Sequence, residues 1–105
     1  MVALPAPIQR MVDATNAADT ETFLATFADD AYLVDWGREF HGRDGVARWN
    51  RSDNIGKHAH FEATACRQEA DEQVVTLVVS GGGYNGTGDI RFTLEGDLIS
   101  RMIIA

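Results

Sequence analysis

The chain has 105 residues, 45% of them hydrophobic and 24% charged, which is the balance of a globular fold with room for one core and little margin for a second. Sixteen acidic against nine basic residues leave a net charge of -7. That excludes a nucleic-acid backbone or an anionic membrane as the main partner, since both need a positive footprint. A lone cysteine, Cys66, leaves no internal disulfide.

No basic-then-apolar leader opens the chain, and no apolar run approaches the roughly 18 residues of a membrane span. A single cytoplasmic domain over residues 1–105 is therefore expected. The sequons Asn50-Arg-Ser52 and Asn85-Gly-Thr87 then read as chance matches.

Only the first four or five residues lack a structural signal. Pro7 suits the first turn of a helix, and Ile8, Met11 and Val12 follow helical spacing to about Asn16 or Ala17. Asp19 reads as an N-cap with Glu21 in the first turn. The apolar face of the second helix is Phe23, Leu24 and Phe27, and Asp29-Asp30 ends it. Tyr32-Leu-Val34 is a short strand running into Asp35, and Glu39-Phe-His41 pairs briefly with it. Asp44 caps a third helix through Val46, Ala47, Trp49 and Asn50, whose end is blurred by Ser52-Asp-Asn54 and Gly56.

After Gly56 the period changes to two. Phe61, Ala63 and Ala65 alternate with His58, His60, Glu62, Thr64 and Cys66. Gln73–Ser80 is apolar on both faces, which predicts cover on both. Asn85-Gly86 is a strong hairpin signal. Ile90, Phe92 and Leu94 share one face of the next strand, and Gly96-Asp97 turns into the last, Leu98–Ile104. Helices followed by long antiparallel strands define an α+β fold. With no helix left to cover the second sheet face, a homodimer through that face is expected.

These words in this order resemble a known family: Asn16-Ala-Ala-Asp19, Phe23-Leu-Ala-Thr-Phe-Ala-Asp-Asp-Ala31, Val34-Asp35, Phe40-His-Gly-Arg43 and Gly96-Asp-Leu-Ile-Ser-Arg101. Together they are similar to the NTF2-like superfamily, in its SnoaL-like and ketosteroid isomerase-like branch. The resemblance covers nearly the whole chain. It implies a cystatin-like cone, with N-terminal helices packed on a curved antiparallel sheet around an apolar pocket, usually as a homodimer. Isomerases, epoxide hydrolases, polyketide cyclases, dehydratases and non-catalytic binding modules share that fold, so fold alone does not select among them.

Residue by residue, the resemblance puts Asp35 at the proton-shuttling carboxylate of the isomerases. Met11 falls where their oxyanion-donating tyrosine stands, and Ile90 where the protonated acid stands. Asp89 is one residue away, on the opposite strand face. Trp49 and Phe92 fall at aromatic walls. With both oxyanion donors replaced, each ordinarily worth about 10²–10³ in rate, the usual ketosteroid isomerase mechanism is not expected.

The residues themselves leave Asp35 with two roles: a general acid/base raised by an apolar site, or a carboxylate paired with Arg38, Arg43 or a backbone N–H. His58 and His60 share a strand face, but no motif supplies the third ligand that a metal would need. Cys66 reads as a small buried hydrophobe. Gly81-Gly-Gly-Tyr-Asn-Gly86 fits G-x-G-x-x-G but precedes a strand rather than a helix, so it is no dinucleotide site. Arg101 faces the pocket if Ile99 and Ile103 do, and faces away if Leu98 and Met102 point in.

The expected site is therefore Asp35 as acid/base, with Met11, Phe27, Trp36, Trp49, His60, Tyr84, Ile90 and Phe92 around a small hydrophobic molecule. Neither cofactor nor metal is required. The functional expectation is an isomerase-, cyclase- or hydrolase-type enzyme. The alternative is a module that binds a hydrophobic ligand without converting it, or that acts through its dimer sheet.

Overall fold

The computed structural model describes residues 2–105; Met1, the first of the residues without a structural signal, lies outside them. Leu4, by contrast, packs against the core. Helix α1 (Ala6–Asn16) starts with Pro5 as N-cap and buries Ile8, Met11, Val12 and Thr15. A short linker leads to α2 (Thr20–Ala25), where the Asp19 carboxylate accepts the Thr22 N–H at 3.1 Å. The N-cap read from the sequence is thus present, and hydrogen bonding from Thr22, its side chain first and then its backbone N–H, holds the Asp19 carboxyl below its ordinary range.

The second helix is shorter than its apolar pattern promised. It stops at Ala25, and Phe27 already opens strand β1 (Phe27–Asp35). Tertiary pairing decides this: Ile99 N–H donates to the Thr26 carbonyl at 2.8 Å, and Phe27 pairs in parallel with Ile99. The ladder then slips between Phe27 and Tyr32, and Asp29-Asp30 is left exposed in the irregular stretch rather than ending a helix. Strand β2 (Arg38–His41) returns antiparallel, and α3 (Gly42–Asp53) follows. Its N-cap is His41, without a side-chain bond, while Asp44 lies in the first turn, where the helix dipole favours an acid.

A single 3₁₀ turn (Ile55–Lys57) leads to β3 (His60–Glu69), β4 (Glu72–Ser80), β5 (Gly86–Glu95) and β6 (Leu98–Ile104). The sheet order is β2-β1-β6-β5-β4-β3, antiparallel throughout except for β1 with β6. The α+β helices-on-sheet architecture is as expected; the parallel pair is an addition that periodicity could not show. Two readings of strand detail change. A bulge between Ala63 and Ala65 reverses the alternation, so Ala65 is exposed and Cys66 packs toward the core. Asn85-Gly86 is not a two-residue hairpin. Gly81–Asn85 form a wider loop, closed by the Asn85 amide on the backbone of Gly81 and Gly83.

The doubly apolar β4 finds part of its outer cover within the chain. Val75 and Leu77 enter the core, whereas Val74 faces outward and is still fully buried. Its cross-strand neighbours are Arg67 and Arg91, whose long stems lie over apolar surface. Their head groups are tied to Glu69, Glu72 and Asp89.

Asn16 joins the helices to the sheet edge. Its side chain accepts the Phe61 N–H at 2.8 Å and donates to the Phe61 carbonyl at 2.9 Å, as a paired strand would. Asn16→Ala leaves both groups without that partner and is expected to cost about 1–3 kcal/mol. The urea midpoint measures this, and an unchanged midpoint would remove Asn16 from the fold's supports.

Candidate functional site

The curved sheet and α3 enclose a cavity of about 610 Å³, within the range that takes a drug-sized ligand. Leu77 and Val79 of β4, Ile90 of β5 and Ile104 of β6 form its apolar floor. Gly88 deepens it, because a Cβ built there meets nothing within 4 Å. Trp36 and Tyr84, 71% and 56% exposed, stand at the mouth.

The polar end is built by a hairpin and a helix. Asp35 is the last residue of β1 and shares a cross-strand row with Ile104, Ile90 and Val75, so it points to the cavity side. Trp36 and Gly37 make the turn with φ of 52° and 83°, the two positive values of a type I′ hairpin. Gly37 suits this conformation, whereas an indole-bearing residue adopts it rarely. The turn pairs Asp35 with Arg38. Across from it, Trp49 and Asp53 lie one helical turn apart on α3 and so share a face.

All four side chains meet. The Trp49 indole N–H donates to Asp35 Oδ2 at 2.9 Å, and Arg38 Nη2 donates to the same oxygen at 2.7 Å. That Arg38 nitrogen also binds Asp53 Oδ2, and Ser52 Oγ donates to Asp53 Oδ1 at 2.6 Å. Asp35 is 13% exposed and Arg38 53%, so the guanidinium closes the site from the solvent side. Asp35 Oδ1 takes no hydrogen bond among the described residues and stays reachable from the cavity.

The hydrogen bond from Arg38 holds the Asp53 carboxyl below its ordinary value, against the opposing effect of burial. The Arg38 guanidinium is raised in turn, first by Asp53. Beneath them Asn54 is 1% exposed. Its amide N–H groups donate to Thr15 Oγ1 at 3.1 Å and Asn50 Oδ1 at 3.0 Å. Its own Oδ1 is a buried acceptor with no partner among the described residues.

Of the site residues named from sequence, Asp35, Trp36, Trp49, Tyr84 and Ile90 line this cavity. Met11, Phe27 and Phe92 do not. They are sealed in the core, where Phe27 packs on Phe23 with ring centres 5.2 Å apart and Phe92 lies in one row with Met102 and Leu33. His60 also stands away from it, exposed and paired with Ser80 at the sheet edge. Arg101 faces outward over the Tyr32 ring at 5.2 Å, so Met102 is the residue that points in and no Arg101–Asp35 pair forms.

His41 lies against Tyr32 at 5.0 Å, and His58 ends the 3₁₀ turn. Among the described residues no three His, Cys, Asp or Glu side chains are grouped to hold a metal ion. Burial pushes the Cys66 thiol up, away from nucleophilic use. Sequence reasoning met Arg38 only as a pairing option, and Ser52, Asp53 and Asn54 only as a blurred helix end. The four-residue spacing from Trp49 to Asp53 was the signal that could have linked them.

Helices backing a curved sheet, with a side cavity and a carboxylate at its polar end, describe the class of fold. Within it, this chain belongs to the SnoaL-like domain family, whose model matches residues 8–102. A proposed polyketide cyclase of Sinorhizobium meliloti is 27% identical, with a TM-score of 0.84 over 97% of this chain and 95% of that one. A proposed ketosteroid isomerase of Kribbella flavida is 19% identical, with a TM-score of 0.79 over 94% and 73%. A Mycobacterium tuberculosis protein in complex with estradiol-17β-hemisuccinate is 20% identical, with a TM-score of 0.82 over 96% and 92%. The last two likenesses concern the fold alone. No curated protein matches the chain. No helix among the described residues is long and apolar enough to cross a membrane.

Because the folded-state pKa of Asp53 is lowered, the stability it brings is complete above the ordinary carboxylate range and is lost as pH falls through the lowered value. Arg38→Gln leaves Asp53 beside Asp35 without the shared cation, so its titration should move upward, past the unperturbed value of about 3.9. Carbon-detected NMR titration of the unmodified protein and this variant reads this; an Asp53 pKa that does not move would show that Arg38 does not hold it.

Proposed function

We propose that the chain binds a small apolar ring compound in this cavity and acts on it with Asp35 as acid/base, in a reaction of the isomerase, cyclase or hydrolase type. The observation that carries this reading is the state of the Asp35 carboxylate. One oxygen is fixed by Trp49 and Arg38, and the other is unpartnered and opens to an apolar cavity. A fixed carboxylate with one free oxygen is placed to take or return a proton. Trp36, Trp49, Tyr84 and Ile90 would flank the compound; Met11, Phe27, Phe92 and His60 have no part in the reading.

Ketosteroid isomerisation by the usual route draws no support, because Met11 is sealed in the core and Ile90 has no donor to offer an oxyanion. The same lack favours binding without turnover as the second reading. Cytoplasmic location and pairing of two copies through the outer sheet face belong to the proposal. The support for pairing is narrower than β4 alone promised, since Arg67 and Arg91 flank Val74. Half-buried Val34, Val78 and Ile103 remain as its apolar contribution. A solution mass of one chain at micromolar concentration would remove the dimer.

Two variants test the site. Gly88→Leu fills the floor and should weaken estradiol binding, followed by tryptophan fluorescence, at least about tenfold while the protein stays folded. Unchanged affinity would place the ligand elsewhere. With a panel of cyclic ketones, epoxides and polyketide-type phenols as substrates, Asp35→Asn should lower turnover by about 10²–10⁴. Turnover unaffected by this change removes Asp35 as acid/base, and binding of the panel without conversion by the unmodified protein selects the second reading.

A further inference from the structure

The glycines of Gly81-Gly-Gly-Tyr-Asn-Gly86 are accounted for by close packing at the cavity mouth. Their loop lies against the segment that leads out of α3. A Cβ at Gly81 would meet the His58 carbonyl oxygen at 2.5 Å, one at Gly82 the Lys57 carbonyl oxygen at 3.0 Å, and one at Gly83 the Lys57 Cβ at 3.3 Å. The Gly82 N–H donates to the Lys57 carbonyl at 2.8 Å. Lys57 is thereby fixed through its backbone and the root of its stem, at a position that lines the cavity. It is the only lysine of the chain, and among the described residues its ammonium has no acidic partner. Arg38, the other side-chain cation lining the cavity, is held by two acids. Tyr84 of the same loop and Thr87 at the start of β5 also line it. The side-chain hydrogen bonds of the loop run through Asn85 and leave both hydroxyls free among the described residues.

We infer that the mouth binds a carboxylate carried by the apolar ring compound, with Lys57 as counter-ion and the Tyr84 and Thr87 hydroxyls as further donors. The inference rests on the proposed use of this cavity and deepens it by giving the ligand a class, an apolar ring acid. Hydroxyls and an ammonium offer what a carboxylate accepts, and an ionised partner makes such bonds the stronger kind. Charge selects one negative charge over two. A single lysine stands here in a chain of net charge -7, and a dianionic phosphate would meet more repulsion than one ammonium offsets. Because the Lys57 stem is rooted against Gly83, forming the contact orders less of the side chain than a wholly free lysine would lose. Arg38 is the weaker counter-ion, since it already neutralises Asp35 and Asp53.

The test compares an androstene carboxylic acid with its methyl ester, one skeleton with and without the charge, and takes estradiol as the reference for the pocket. Calorimetry gives the affinities for the unmodified protein and for Lys57→Met, which keeps an unbranched stem at an exposed position and removes the ammonium. The unmodified protein is expected to bind the acid at least about fivefold tighter than the ester, although apolar walls alone would favour the ester. Lys57→Met should bring the acid down to the level of the ester, and added salt should shrink the preference in the unmodified protein. Equal affinities for acid and ester, a preference that survives Lys57→Met, or binding of estradiol alone would overturn the carboxylate site and leave the apolar pocket standing. Binding of none of the three would overturn the pocket reading itself, and this inference with it.

Discussion

The arrangement of this protein around its cavity depends on how one carboxylate is compensated. Asp35 ends an apolar strand and is 13% exposed, where an unpaired charge would be costly. The compensation comes from two directions: Arg38 from the returning hairpin strand and the Trp49 indole from the facing helix. Arg38 then binds Asp53 on that helix as well. The charge is neutralised by a clamp between the β1–β2 hairpin and α3, the two elements that close one end of the cavity. Asn16 and Asn54 join α1 to the β3 edge and to the end of α3.

The cavity itself reflects missing side chains as much as present ones. Gly88 sits on the inner row of β5 opposite Leu77, where any larger side chain would project into open space. Ile90, Leu77 and Val79 leave the floor apolar, and Arg38 and Lys57 confine positive charge to the mouth. In the proposed reading, a ligand in this space would meet apolar walls and one partly engaged carboxylate. That combination favours orientation by few, directional contacts, which is how apolar pockets gain specificity. One fold can host several chemistries, so selection among them has to come from such atoms and not from the architecture.

Much of the architecture was legible in local pattern. The Asp19 N-cap, the α1 face, the turn at Gly96-Asp97 and the helices-then-sheet order depend on neighbours a few residues apart, which capping and periodicity report directly. The cavity positions of Asp35, Trp49 and Ile90 followed from the family resemblance rather than from period, whereas Trp36 and Tyr84 were read from their places beside Asp35 and in the Gly81–Gly86 run. The readings that changed share another cause. Phe27 fits a helix face, but Ile99, more than seventy residues later, recruits it into a parallel ladder. Phe92 has the composition of a pocket wall, yet its row closes over with Met102 and Leu33. Ala65 and Arg101 could not be faced correctly because bulges between Ala63 and Ala65, and between Thr93 and Leu94, shift the period where no residue type announces it.

By itself, then, the sequence determined the α+β class, the helical caps, the acidic surface and the isolation of one carboxylate within an apolar strand, since each is written in residue type and short spacing. Only the tertiary structure decided what that carboxylate meets. The distances from Asp35 to Trp49 and from Arg38 to Asp53, the orphaned oxygen of Asn54 and the open space above Gly88 arise where α3 crosses the sheet. Their physical origin is packing between segments far apart in the chain, which no local pattern encodes.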